Sequence, residues 1–349
     1  DALHLLGVVY HQRDEHARAV ESIRSAIQVN HSCAPFHSNL GVALRSLGRL
    51  EEAVDCYREA ARLAPAWGAP YYNLANACRD LGRLEEAVDG YRSAIERDPQ
   101  NADAYNNLGD VFKQAGRLGE AIECHSRAIS LRPNFAEAWF NLGNALKRAG
   151  RTDEAVDAYR KALEFRPTYA DALVNLGCCL EEQGNLADAT ASYEQAIEFD
   201  PNSADARFNR ALALLKAGDF ARGWSDYGFR PAQRLSQDRQ TRPAWDGNPA
   251  PSRTVLVRGE QGIGDEIMFA SCLPDLLPRV AGCIFECHPR LVPLFQRSFP
   301  AAHVRGRSIE ISAAEAANRE RHSQAPDADV ESALGSLPKY LRRTAQDFP

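Results

Sequence analysis

Apolar and polar positions along the first two-thirds of the chain recur with a fixed period of 34 residues. Asn39, Asn73, Asn107, Asn141, Asn175 and Asn209 stand one period apart, and all but the last begin an Asn-Leu-Gly or Asn-Leu-Ala triplet. A period of this length marks an array of one supersecondary unit. Each unit reads as two helices. The first ends at a glycine (Gly48, Gly82, Gly116, Gly150, Gly184, Gly218), which suits a helix C′ position because it takes positive φ without a Cβ penalty. The second carries alanine at Ala19, Ala53, Ala87, Ala121, Ala155 and Ala189, and again at Ala26, Ala60, Ala94, Ala128, Ala162 and Ala196. Small side chains there let two helices cross closely. The second helix stops at Pro65, Pro99, Pro133, Pro167 and Pro201, where the missing N–H prevents continuation. Tyr57, Tyr91, Tyr159 and Tyr193 are expected to fill the space between units.

The period fades at both ends. Repeat 1 has Asp14 in place of glycine and His31 in place of proline, and repeat 7 has Gly223 where alanine is expected, followed by Trp224. Pro231, Pro243, Pro249 and Pro251 then mark a non-helical connector. The pattern beyond it changes. Thr254–Val257 is a short apolar run that reads as a buried parallel strand. A glycine loop follows, then a helix from Ile267 to about Leu277, a strand over Cys283–Glu286, a helix over Leu291–Phe299 and a third strand near His303 and Val304. Strand, glycine loop, helix, strand is the opening of a doubly wound α/β domain. Residues 308–329 read as a surface insertion, and Leu337–Arg343 as a short helix. The fold class is thus mainly α: a repeat array over 1–230, a proline-rich junction over 231–252 and a partial Rossmann-like lobe over 253–349. Trp224 and Trp245 are expected to pack between the array and the lobe, covering the last apolar face of the array.

Composition narrows the functional classes. A net charge of −6 gives no reason to expect general nucleic-acid binding. No stretch approaches the ~20 apolar residues of a membrane span. The nine cysteines form no paired Cys-x-x-Cys, so neither zinc nor a disulfide framework is expected, and they read as reduced thiols of a cytoplasmic protein. The only methionine is Met268, and Asp1 falls within a repeat, which leaves a lost N-terminal segment open.

Two rows carry candidate chemistry in the array. The asparagine row places one primary amide at the same site of successive repeats, and an amide offers two donors and an acceptor pair. A ladder of amides can hold an extended peptide by its backbone; equally, asparagine can be the ordinary residue of that repeat position. Beside it run Arg45, Arg79, Lys113 and Lys147. They would favour acidic peptide segments, although cations in the last turn of a helix also complement its dipole.

The 34-residue unit with these glycines, alanines and prolines is similar to the tetratricopeptide repeat. Seven units match, over about two-thirds of the chain. The resemblance implies a right-handed superhelix whose first helices line a concave groove. Superhelical arrays of this kind in proteins resembling O-linked GlcNAc transferases hold protein substrates on such an asparagine ladder.

The lobe offers a second candidate site. Gly259-Glu-Gln261-Gly262-Ile-Gly264-Asp265-Glu266 follows the first strand. Its glycines are not spaced as in a dinucleotide fingerprint. Asp265 and Glu266 at the helix start would also oppose a pyrophosphate there. Glu286 does end the second strand where an acid would meet a ribose hydroxyl, and His288 follows it. The segment 259–267, with Leu273-Pro274, Trp245-Asp-Gly and Gly335-Ser-Leu-Pro338, resembles the N-terminal lobe of bacterial tetratricopeptide-linked glycosyltransferases related to the lipopolysaccharide heptosyltransferases. That resemblance makes Asp265, in the Gly264-Asp265 pair, a general base for an acceptor hydroxyl. Gly259, Gln261, Gly262, Gly264 and Glu266 would line the substrate. The register of Leu273-Pro274 departs from the heptosyltransferase pattern, and the competing reading makes Asp265 a helix N-cap. In such enzymes the nucleotide sugar sits mainly on a second lobe, which 253–349 does not hold. The chain is therefore expected to be a fragment, inactive alone, needing no cofactor beyond a nucleotide-sugar donor. The alternative is a non-catalytic scaffold whose array binds partner proteins and whose lobe is a cap.

Overall fold

A computed structural model describes residues 2–230, 242–259, 262–307 and 328–347. The array consists of helix pairs in chain order: α1 (Ala2–Gln12) and α2 (His16–Val29), α3 (Ala34–Ser46) and α4 (Leu50–Leu63), α5 (Gly68–Asp80) and α6 (Leu84–Arg97), α7 (Ala102–Gln114) and α8 (Leu118–Leu131), α9 (Ala136–Arg148) and α10 (Thr152–Phe165), α11 (Ala170–Glu182) and α12 (Leu186–Phe199), α13 (Ala204–Lys216) and α14 (Phe220–Asp226). The punctuation follows the expectation. The six glycines after the first helices have φ between 73° and 83°. Asp14, which stands in for glycine in repeat 1, takes the same left-handed conformation at φ 60°. Asp tolerates that region better than most side chains do.

The chain divides into two compact units, Asp1–Cys179 and Leu180–Pro349. In the first unit α1 to α10 pack as successive pairs, and α3, α5, α7 and α9 each pack on the second helix of the preceding pair. The crossing within a pair is set by a glycine against a ring. An added Cβ at Gly41 would lie 2.6 Å from Tyr57, at Gly143 2.6 Å from Tyr159, and at Gly109 2.7 Å from His125. Repeat 3 reverses the arrangement, with Gly90 on the second helix against Ala75 on the first. The alanines expected at the crossings are buried throughout.

In the second unit the last helices share one core with a parallel sheet. The strands are β1 (Ala250–Arg258), β2 (Val280–Cys287), β3 (His303–Gly306) and β4 (Val330–Ala333), in spatial order β3-β2-β1-β4 and all parallel. The expected helix after the glycine loop breaks at Ser271 into α15 (Ile263–Ala270) and α16 (Leu273–Leu276); α17 is Val292–Ser298 and α18 is Pro338–Leu341. One sheet face, with Val255, Val257, Phe285 and Val304, packs with Phe269, Leu273, Phe295, Tyr227 and Ala211 in a single cluster. Trp224 lies edge-on to Tyr227 and Phe269, so it joins the last repeat to the lobe as expected. Trp245 packs edge-on to Tyr340 in the same core. The opposite face carries a charge ladder: Arg305 to Glu286 at 2.5 Å, Glu286 to Arg258 at 3.9 Å and Arg258 to Glu331 at 3.2 Å. On that same face Leu256 and Ile284 are also buried, so the centres of β1 and β2 are apolar on both faces, as buried parallel strands usually are. The fourth strand was not anticipated from the sequence, and the insertion expected over 308–329 lies outside the described residues up to 327.

Gly143→Ala is expected to destabilise the chain by about 1–2 kcal/mol. The displaced Tyr159 ring outweighs the ~1 kcal/mol that alanine gains in helix propensity. Gly119, which has nothing within 4 Å of an added Cβ, should instead be stabilised by alanine by up to ~1 kcal/mol. Urea midpoints of the two variants measure both; equal shifts of one sign would refute the packing account.

Candidate functional site

The asparagines of the first unit form hydrogen bonds between consecutive repeats. Asn39 Nδ2 lies 2.8 Å from His4 Nε2. Asn107 Nδ2 donates to Tyr72 Oη at 2.9 Å and to Asn76 Oδ1 at 3.2 Å. Asn141 Nδ2 donates to Asn106 Oδ1 at 3.3 Å and to Asp110 Oδ2 at 3.2 Å, and Asn175 Nδ2 to Asn144 Oδ1 at 2.9 Å. Each partner belongs to the first helix of the preceding repeat. Asn73 alone of these five makes no side-chain hydrogen bond among the described residues. Asn209, in the second unit, is partly buried.

The partners expose a row that the asparagine count overlooked. Asn76, Asp110 and Asn144 stand one period apart, each three residues beyond a row asparagine. They receive the amide from the following repeat. Asn76 and Asn144 also accept from the phenols of Tyr91 (2.6 Å) and Tyr159 (2.8 Å). The 34-residue spacing was present in the sequence; its varied residue types hid it.

The basic row is largely ion-paired. Arg45 binds Asp80 at 2.6 Å, Arg79 lies 3.4 Å from the same carboxylate, and Lys113 binds Asp110 at 2.6 Å. Lys113 also donates to Asn141 Oδ1 at 3.3 Å. Lys147 is the member of this row with no acidic partner among the described residues. Burial raises the Cys56 thiol to about 11 and the Cys124 thiol to about 12.

Repeat 4 departs at the ring position. His125 takes the place held by Tyr91 and Tyr159 in their repeats. It is fully buried, its Nδ1 lies 3.0 Å from Asn106 Oδ1, and its Nε2 has no partner. Burial pushes its pKa down to about 4, slightly opposed by Asp110. The imidazole is therefore neutral at neutral pH and sits directly beneath the Asn106–Asn141 bond.

In the lobe, Gly259 follows β1, Gly262 is the N-cap residue of α15 and Gly264 lies in its first turn. Gln261 lies outside the described residues. Asp265 occupies the third helical position, is partly exposed, and makes no side-chain hydrogen bond or ion pair among the described residues. The N-cap reading of Asp265 is corrected accordingly, because Gly262 holds that position. Glu266 is only 1% exposed. It accepts from the His288 backbone N–H at 2.7 Å and pairs with Arg307 at 3.0 Å; Arg307 in turn donates to the Gly259 carbonyl at 2.7 Å. Glu266 and Arg307 thus tie together the carboxyl ends of β1, β2 and β3. His288 uses Nδ1 to accept from the Arg290 N–H at 3.2 Å, a local turn bond. Among the described residues no group of three or more acidic, histidine or cysteine side chains is placed to hold a metal. No helix there is long and apolar enough to cross a membrane.

Comparison with known proteins agrees with the helix pairs. Residues 75–116 and 109–150 match the profile of the TPR repeat, and 34–66, 134–202 and 192–224 match profiles of the tetratricopeptide repeat; together these cover more than half of the chain. Protein FlbA of Caulobacter vibrioides is 31% identical over 134 residues, 36% of this chain and 22% of that protein. The match therefore spans about a fifth of that relative's length. The C-terminal part of a TPR repeat-containing protein from Cytophaga hutchinsonii superposes with a TM-score of 0.55 at 17% identity, over 67% of this chain and 98% of that one. A tetratricopeptide repeat protein from Parabacteroides merdae gives 0.52 at 19% identity, over 65% and 90%. YrrB, a TPR protein with an unusual peptide-binding site, is 28% identical over 54% of this chain and 96% of its own, with a TM-score of 0.46.

His125 predicts a pH signature. Its folded pKa of about 4 lies below the unfolded value of 6.5, so between these values the unfolded chain binds more protons. Its contribution is fully present above pH 6.5 and falls as the pH drops to 4, by about 3 kcal/mol in all. His125→Tyr, which keeps a ring over Gly109, should remove this part of the pH dependence. Thermal unfolding of the two proteins between pH 7 and 4 measures the difference; parallel curves would refute it.

Proposed function

We propose that this chain, which belongs to the tetratricopeptide-repeat family, is a receptor for an extended protein segment, held along the asparagine row of its first helices. The observation that carries the reading is the row itself. Among the described residues, Asn39, Asn73, Asn107 and Asn175 keep side-chain oxygens that no donor occupies, and none of these oxygens is a buried atom left without a partner. Four such acceptors at one repeat position form a track along successive units. The paired state of Arg45, Arg79 and Lys113 limits charge selection to Lys147, so an acidic residue of the ligand is favoured at one place and not along the whole row.

A second reading concerns the lobe, taken as 253–349 beyond a junction at 231–252. Its parallel order β3-β2-β1-β4 is that of the first half of a dinucleotide-type sheet. Asp265 stands beyond the carboxyl end of β1 without a partner among the described residues. These features support the N-terminal lobe of a nucleotide-sugar-dependent glycosyltransferase, with the array recruiting the acceptor and Asp265 removing its hydroxyl proton. Glu266 and Gly259 would then shape the loop from beneath, because Glu266 is buried and the Cβ space of Gly259 is filled by its carboxylate. The donor site belongs to a second lobe that this reading requires elsewhere.

Asn73→Ala is the cleanest test of the row, because it removes an amide that bonds nothing among the described residues. A bound peptide should weaken about three- to tenfold with unchanged melting temperature, in line with ~1 kcal/mol per hydrogen bond. Asn107→Ala should weaken binding and also lower stability by ~1 kcal/mol. Unchanged affinity in both would leave the asparagines as repeat residues only. For the lobe, protein isolated from its host should transfer from one of a panel of nucleotide sugars, and Asp265→Asn should abolish transfer. Full turnover in that variant would remove Asp265 from the chemistry.

A further inference from the structure

We infer that His11 and His16, at the turn between α1 and α2, form a two-histidine site for a transition-metal ion of the Zn2+, Ni2+ or Cu2+ class, which clamps the first helix pair. The site is independent of the peptide-receptor reading. The 34-residue period shows what is unusual here. His11 stands where the following repeats carry Arg45, Arg79, Lys113 and Lys147. Asp14 stands at the position of Gly48, Gly82 and Gly116, and His16 at that of Leu50, Leu84 and Leu118. All three departures at this turn are groups that can ligate a metal or support a ligand.

The turn brings them together. Asp14 takes φ 60°, α2 doubles back on α1, and the two imidazoles lie 4.9 Å apart between ring centroids. His11 Nδ1 and His16 Nδ1 are 3.1 Å apart. One ion bound at ~2.0–2.1 Å from each nitrogen spans that gap in a bent arrangement. The same gap suits one shared proton, and the carboxylate beside the pair favours the ion. Asp14 lies 3.8 Å from His16 Nε2, on the other side of the ring, and draws the ring proton to Nε2. That leaves Nδ1 as an electron-pair donor; a carboxylate behind a ligating imidazole is the usual supporting arrangement. Burial, and next the neighbouring His16, lower the His11 pKa, with Asp14 opposing. This imidazole is therefore neutral at neutral pH, as a ligand must be. Imidazole nitrogen selects Zn2+, Ni2+ or Cu2+ over Mg2+ or Ca2+. No third protein ligand is placed at the pair among the described residues, so water completes the coordination and the ion is exchangeable.

The position explains what such a clamp would do. Val9 on α1 is 44% exposed, whereas Ala43, Ala77, Val111 and Ala145 at the same repeat position are fully buried. α1 thus has less packing to hold it than the first helices that follow. His11 lies in its last turn and His16 opens α2. An ion shared by the two ties the helices where packing is weakest, and it stabilises the folded pair by mass action.

The test titrates the full chain, without an affinity tag, with Ni2+ by calorimetry. One ion per chain is expected, and His11→Arg and His16→Leu should each abolish its binding. Both variants install the residue that neighbouring repeats carry, so the fold is kept, and unchanged circular dichroism checks this. Asp14→Asn, which still tolerates positive φ, should keep the stoichiometry and weaken the affinity about tenfold. Hydrogen exchange of the α1 amides should slow with Ni2+ in the unaltered chain and not in the histidine variants. An ion that binds equally well in both histidine variants sits elsewhere and overturns the site. Absence of binding at millimolar Ni2+ overturns it too, and leaves the two imidazoles sharing a proton.

Discussion

The seating of a ring from the second helix on a glycine of the first sets the form of the repeats that follow it. Where Tyr57 meets Gly41 and Tyr159 meets Gly143, the helices approach until no Cβ fits between them. That contact is apolar along the ring and polar at its tip. At Tyr159 the phenol, which must find a partner when buried, donates to Asn144 on the first helix and fixes its rotamer. That amide then fixes Asn175, the row asparagine of the next repeat. A packing constraint inside one repeat is thereby transmitted, through two hydrogen bonds, to the orientation of a surface group on its neighbour.

This chain of contacts explains why the asparagine row cannot be judged from its spacing alone. A residue repeated at fixed intervals can serve the fold or a ligand, and here one side chain divides between the two. The nitrogen of Asn107 joins repeats, while its oxygen remains open. The division follows from the amide's geometry: engaging the nitrogen inward turns the oxygen away. The basic row behaves differently. Guanidinium and ammonium groups have no acceptor half to leave over, so Arg45 and Lys113 are neutralised by Asp80 and Asp110, and the row loses most of its power to select charge.

Much of the array was legible in the sequence because its determinants are local. Glycine at positive φ, proline after the second helix and alanine at the crossing each act through a single residue's backbone or volume. Asp14 extends the rule, since it adopts the glycine conformation without being glycine. What could not be read were choices of partner. Nothing in the period tells that Asn107 reaches Tyr72 and Asn76, since the partners lie 35 and 31 residues back and depend on how consecutive pairs stack. His125 drew no expectation from the sequence. Its unpartnered Nε2 appears only when burial on every side is known. In the lobe, short apolar runs on β1 and β2 suggested strands, yet the cross-strand pairing of Arg258 with Glu286 and Glu331 required the sheet order.

Glu266 and Asp265 show how adjacent residues of like charge acquire different uses. Successive positions on a helix point about 100° apart, so one acid of the pair faces the strand ends and the other faces away. Glu266 is drawn inward by Arg307 and by the His288 N–H, and it closes the space beside Gly259. A buried carboxylate is tolerable only with such partners, so the loop between β1 and α15 is bound to the ends of β2 and β3. Asp265 has no such tie among the described residues. The arrangement leaves one carboxylate beyond the end of a parallel strand, on a helix start held by the other.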